Sequence, residues 1–180
     1  MNEQLMSTCR IQRGFTMVEM LTVVVIVGIL SALTVPMMGD TSQTKLIAAA
    51  NQIAADIGYA QIESISHADD LRLMVFDIEK NTYYIASASE PAGINNPVGN
   101  VPYIISFGSG ANKQLNGVTL SSISLNGDDR ILFGVYGQLD QATAASITLA
   151  CDGYQITLLV EPSTGEIAIS DISDIPATPE

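Results

Sequence analysis

Hydrophobic and polar positions divide the chain into three stretches with different periods. Met20 to Gly39 (MLTVVVIVGILSALTVPMMG) runs 20 residues without a charge, long enough as a helix to cross roughly 30 Å of hydrocarbon at about 1.5 Å per residue. From Thr41 to Ser66, Leu46, Ala50, Ile53, Ile57 and Ala60 recur at spacings of four, three, four and three, one face of a helix. The polar residues Gln43, Asn51, Gln52, Asp56 and Glu63 fall largely elsewhere. This segment predicts an amphipathic helix, continuous with the apolar one, whose stripe lies on a sheet.

Beyond it, Gly and Asn clusters punctuate short apolar runs that read as strands: Leu71 to Asp77, Thr82 to Ala86, Pro102 to Phe107, Val118 to Leu125, Ile131 to Tyr136, Ser146 to Cys151, Tyr154 to Val160 and Glu166 to Ser170. Asp152-Gly153 and Pro162-Ser163-Thr164-Gly165 supply tight-turn chemistry between the last three, which predicts an antiparallel meander. The expected fold class is therefore α+β, a long N-terminal helix packed on an antiparallel β domain.

Composition sharpens this picture. A length of 180 residues suits one globular domain plus one extra element. With 47% hydrophobic and 14% charged residues and a mean hydropathy of +0.30, the chain is too apolar for disorder. A cleaved secretory signal is the alternative reading of the apolar run, but that run exceeds the usual apolar length and Glu19 lies at its edge. Arg10 and Arg13 precede it with Glu3 as the only acid, whereas Asp40, Asp56, Glu63, Asp69 and Asp70 follow. The positive-inside bias puts the N-terminus in the cytoplasm and the body in the periplasm or outside the cell.

The net charge of −12 is spread along the chain, and Lys45, Arg72, Lys80, Lys113 and Arg130 are scattered. Such a surface repels phosphate backbones, so no nucleic acid is expected as partner. Cys9 precedes the apolar run and Cys151 follows it, and a lipoprotein reading of Cys9 fails because the apolar stretch should precede that cysteine. His67 and Cys151 are the only candidates for a nucleophilic pair, and nothing in the sequence brings them together. No phosphate loop opens a helix and no Cys/His set has zinc spacing. No enzyme activity, cofactor or metal is expected.

At the edge of the apolar run stands Arg13-Gly14-Phe15-Thr16-Met17-Val18-Glu19. The string RGFTMVEMLTVVVIVGILSALTVP resembles the prepilin cleavage and methylation motif of type IV pilin-like proteins. The resemblance implies that a membrane prepilin peptidase cuts between Gly14 and Phe15 and methylates the new Phe15 amine. Gly14 leaves an extended backbone unobstructed in a peptidase groove. Glu19, a carboxylate near the bilayer edge, is favoured by a cationic partner, with a snorkelling acid paired only with water as the alternative; the resemblance implies that it pairs with the N-terminal amine of a neighbouring subunit. Gly28 and Pro36 mark a bendable anchor; the resemblance implies that it loosens on assembly, although packing alone accounts equally for either.

LRLMVF at 71–76, ILFGVYGQ at 131–138 and ITLLVEPSTGEIAIS at 156–170 resemble the GspH/FimT family of minor pseudopilins. The implied layout is a leader over 1–14, a transmembrane and assembly helix over 15–38, an amphipathic helix over 39–66, a β-rich periplasmic domain over 67–175 and a tail over 176–180. The implied function is that of a structural minor subunit of a type II secretion pseudopilus or a type IV pilus, held by a single pass in the bacterial inner membrane. Its partners would be the prepilin peptidase, other pilins or pseudopilins and a platform protein. The alternative is a membrane-anchored extracytoplasmic binding protein. The single exported Cys151 excludes an intrachain disulfide, and the acidic runs Asn126-Gly127-Asp128-Asp129 and Asp171 to Asp174 lack a calcium ligand ladder.

Overall fold

The computed structural model describes residues 15–34, 41–90, 93–97 and 99–176, with the side chains of 32–34 excepted. It divides into two compact units, Met1–Gly39 and Asp40–Glu180. In the first, helix α1 covers Met17–Thr34, and every described side chain from Phe15 to Ser31 is exposed within the chain. Among the described residues no helix is long and apolar enough to cross a membrane. The 18 residues of α1 span about 27 Å, and the rest of the predicted span, including Pro36, lies outside the described residues.

The second unit opens with α2 (Thr41–Ser66). The predicted stripe is the buried one: Leu46, Ala50, Ile53, Ile57 and Ala60, joined by Ala49, are all fully inaccessible. The helix lies against strands of two antiparallel sheets where a single sheet was expected. One sheet has the order β3-β2-β1-β5, from β1 (Arg72–Asp77), β2 (Thr82–Ser87), β3 (Ile104–Ser106) and β5 (Arg130–Leu132). The other has the order β4-β6-β7-β8, from β4 (Thr119–Ser124), β6 (Ala145–Cys151), β7 (Tyr154–Val160) and β8 (Ile167–Ile169), with β9 (Ser173–Asp174) also on β7.

Alternation along the strands explains why both sheets face α2. Met74 and Phe76 on β1 are paired with Ile85 and Tyr83 on β2, and all four are buried. Ile147 and Leu149 on β6 oppose Leu158 and Ile156 on β7 in the same way. Among the described residues the buried hydrophobic ones all lie between Leu46 and Val160, so this unit encloses its own core. The meander β6-β7-β8 is as expected, and Asp152 and Gly153, both at positive φ, form the two-residue turn that joins the first pair.

Strand lengths depart from the periodic reading where glycine intervenes. The strand expected over Ile131–Tyr136 ends at Leu132, because the chain turns at Gly134, whose N–H donates to Gln138 O (2.7 Å), and Gly137 N–H donates back to Gly134 O (2.9 Å). The turn leaves Tyr136 exposed. Gln61 of α2 reaches this turn and the one after β7, its Nε2 donating to Gly137 O (3.3 Å) and Gly165 O (2.9 Å). One side chain thus ties together a loop from each sheet.

Asp56 departs from the expectation that the polar residues of α2 lie off the stripe. It is 4% exposed and accepts hydrogen bonds from the hydroxyls of Tyr83 (2.6 Å) and Tyr103 (2.8 Å) and from Gln52 Nε2 (3.1 Å). A buried carboxylate is tolerated only when its lone pairs are filled in this way. Tyr103 also stacks on Tyr59 with centroids 5.5 Å apart, so the segment leading into β3 is held to α2 by both contacts. Burial first, then the Asp56 charge, pushes the Tyr83 hydroxyl well above the ordinary tyrosine range. Burial, then the hydrogen bond to Asp56, raises Tyr103 likewise.

Two outcomes are expected for the fragment 40–180. Gly165 has φ +69, and a Cβ there would run into Gln61 Nε2 and the backbone oxygen of Gly137. Gly165→Ala should therefore lower unfolding stability by about 2 kcal/mol or more, read from urea midpoints. The raised tyrosines fix the sign of an alkaline effect. Above about pH 10 the unfolded chain releases protons that the folded one retains, so stability intact below that pH falls as pH rises further. Tyr83→Phe combined with Tyr103→Phe should flatten the decline between about pH 10 and 12; an unchanged slope would remove these hydroxyls as its source.

Candidate functional site

The start of α1 carries the residues that the sequence singled out. Phe15 lies outside the helix and is 77% exposed. Thr16 caps it: its Oγ1 accepts from the Glu19 N–H (3.2 Å), and its carbonyl accepts from the Met20 N–H (3.2 Å). Thr16-Met17-Val18-Glu19 has the spacing of a capping box, in which an acid three residues after the cap also faces the positive end of the helix dipole. This role of Thr16 was legible in the T-x-x-E spacing but was not drawn from it. The cap fixes the helix boundary immediately after Phe15.

Along α1 the polar side chains return their hydrogen bonds to the helix itself. The hydroxyls of Thr22 and Ser31 donate to Val18 O (2.8 Å) and Val27 O (2.7 Å), the arrangement that lets hydroxyls sit among hydrocarbon without stranded donors. Around them Met20, Leu21, Val23, Val24, Val25, Ile26, Val27, Ile29 and Leu30 present apolar side chains on all sides of the helix. A helix that is apolar all round is covered by lipid or protein wherever it is stable. Gly28 is a notch in that surface, since a Cβ there would meet nothing within 4 Å. The described part of the chain gives it no packing role. Glu19 is exposed, with no ion-pair partner among the described residues. Gly14, Arg10, Arg13 and Pro36 lie outside the described residues.

His67 and Cys151 stand near opposite ends of α2. His67 follows its last turn, with Nδ1 3.0 Å from Glu63 O. Cys151 is buried at the end of β6, its Sγ 3.7 Å from Asp152 Oδ2, which accepts from Ser42 Oγ (2.7 Å) near the start of α2. Burial pushes the Cys151 thiol up, away from a reactive thiolate. Asn126 and Gly127, both at positive φ, form the tip of a tight turn closed by the Leu125–Asp128 bridge. Among the described residues no group of three His, Cys, Asp or Glu side chains is placed to hold a metal ion.

Residues 9–35 match the family model of the prokaryotic N-terminal methylation motif. No curated protein sequence matches the chain. Among solved structures the chain is similar to the type IV minor pilin FimU of Pseudomonas aeruginosa in two crystal forms, at 16% identity in each. One alignment covers 70% of this chain and 93% of FimU with a TM-score of 0.47; the other covers 73% and 92% with a TM-score of 0.49. The matched residues span both the Gly14-Phe15 junction and the capped start of α1.

Proposed function

We propose that the chain is a structural minor pilin or pseudopilin subunit. In this reading the prepilin peptidase removes residues 1–14 and methylates Phe15, and the apolar helix then serves first as an inner-membrane anchor and afterwards as the assembly element of a pseudopilus or pilus. The methylation motif over residues 9–35 carries the proposal. The apolar surface of α1 supports it, because an anchor that later joins a bundle of like helices needs apolar cover on every side. The uncharged run continues in the sequence to Gly39, which supplies the length for a single pass.

Glu19 is assigned the pairing with the methylated amine of a neighbouring Phe15. An unpaired carboxylate costs about 2.5 to 3.5 kcal/mol at the centre of a membrane helix and less near the interface. A cation brought by the next subunit removes that cost and fixes its register. The remaining partners are other pilin-like subunits and a platform protein, and the GspH/FimT resemblance of the β half favours a minor subunit.

Two measurements test this. N-terminal sequencing and mass spectrometry of the membrane-extracted protein should find N-methyl-phenylalanine at Phe15. A start beyond the apolar run would make the segment an ordinary signal peptide. Glu19→Gln retains a capping-box side chain and loses the charge, so it should leave cleavage intact and reduce incorporation into filaments about tenfold or more by crosslinking, as Glu19→Ala should. Incorporation of Glu19→Gln at the unsubstituted level would leave Glu19 with a capping role only.

A further inference from the structure

The two sheets part company at one turn. β4 and β5 leave the Asn126-Gly127 turn joined only by the Leu125–Asp128 bridge; β4 then pairs with β6, and β5 with β1. Beside this divergence, against the β1–β2 hairpin, opens a groove of about 400 Å³. Val75, Ile78, Tyr84 and Ile123 give it an apolar lining, Asp77 and Lys80 line it as an ion pair, and Glu79 and Asp129 add exposed carboxylates. Asp129 is fixed there because its main-chain oxygen accepts from the Phe76 N–H (2.8 Å).

Three properties of the groove define what fits it. Ile78 is 42% exposed in this groove, so aliphatic cover from outside the chain is favourable. Asp77 is matched by Lys80, and Asp128 by Arg130 at 3.9 Å. Glu79 and Asp129 have no ion-pair partner among the described residues. Along one wall runs an edge strand: Asn81 occupies the start of β4, its Nδ2 donating to Val118 O (2.8 Å) and its Oδ1 accepting from Leu120 N (2.8 Å). Past that clamp, Ser122 to Ser124 pair only with β6. An open strand edge takes up extended backbone, and flanking pockets select the side chains.

We propose that this groove docks an extended cationic segment of a partner protein, one that carries Lys or Arg on either side of an aliphatic residue. The aliphatic side chain covers Ile78 and Ile123, the cations meet Glu79 and Asp129, and the backbone lies along Ser122 to Ser124. The acids exclude anionic occupants such as phosphate backbones and acidic lipid headgroups. The inference goes beyond the assembly role of α1 and concerns the 40–180 unit alone, whose core is complete without the N-terminal segment.

The test is fluorescence anisotropy of the labelled peptide Lys-Ile-Arg-Val-Lys against the 40–180 fragment. Saturable binding that weakens with added salt is expected. Glu79→Gln combined with Asp129→Asn should weaken it about fivefold to tenfold. Asp171→Asn combined with Asp174→Asn removes the same charge at the opposite edge of the second sheet and should change it less than about twofold. Equal losses in the two double variants would mean general attraction to an acidic surface and would overturn the proposal, as would the absence of saturable binding up to about 1 mM peptide. Unmethylated or uncleaved Phe15 would leave this result untouched, so the two readings fail separately.

Discussion

The globular unit depends on one helix face serving two sheets. Leu46, Ala49, Ala50, Ile53, Ile57 and Ala60 have no accessible surface, and β1 of one sheet and β6 and β7 of the other lie against α2. The two sheets diverge at β4 and β5, which share a single bridge, and both present buried side chains to the common core. The alanines of the stripe allow close approach, and large side chains come from the β region, where the Tyr83 ring lies 5.8 Å from both Phe76 and Phe107. Loss of the α2 face would therefore expose both sheets at once.

The polar groups of α2 turn that packing into a specific arrangement. Hydrophobic burial is non-directional, whereas Asp56 fixes Tyr83 and Tyr103 by direction, Gln61 fixes two loops, and Ser64 accepts from the Arg72 N–H (2.7 Å) to set the start of β1. Unsatisfied, each of these groups would cost on the order of 1 to 3 kcal/mol, so they disfavour alternative registers more than they add to net stability.

These directional contacts also mark the limit of what the sequence makes legible. The stripe of α2 could be read because it is a local period, and β7 was read over its full observed range, Tyr154–Val160, because turn residues bound it on both sides. The division into two sheets could not, because strand pairing joins residues far apart: Leu73 with Leu132, and Thr119 with Ala150. The truncation of β5 turned on the two glycines in ILFGVYGQ, which an apolar count passes over. Asp56 was readable in part, being three residues after Ile53 and four before Ala60, but its tyrosine donors come from distant segments. At the N-terminus the Gly-Phe junction was legible as a motif, whereas the cap that Thr16 provides is an ordinary helix signal that the motif overshadowed.

That cap bears on why an acid stands at the edge of an apolar helix at all. A glutamate at the third helical position is favourable in any water-exposed helix through the dipole and the capping box, so its presence alone does not require a partner. What a cap does not account for is the helix that follows, whose described apolar side chains from Phe15 to Leu30 are all uncovered within this chain. In water such a surface is unfavourable by about 25 cal/mol per Å². In hydrocarbon it is favourable, and the same glutamate becomes the costly group. Both demands are met at a site that is apolar along its length and cationic at its first turn. On the proposed reading, a bundle of like helices, each beginning with the processed Phe15 amine, supplies that environment.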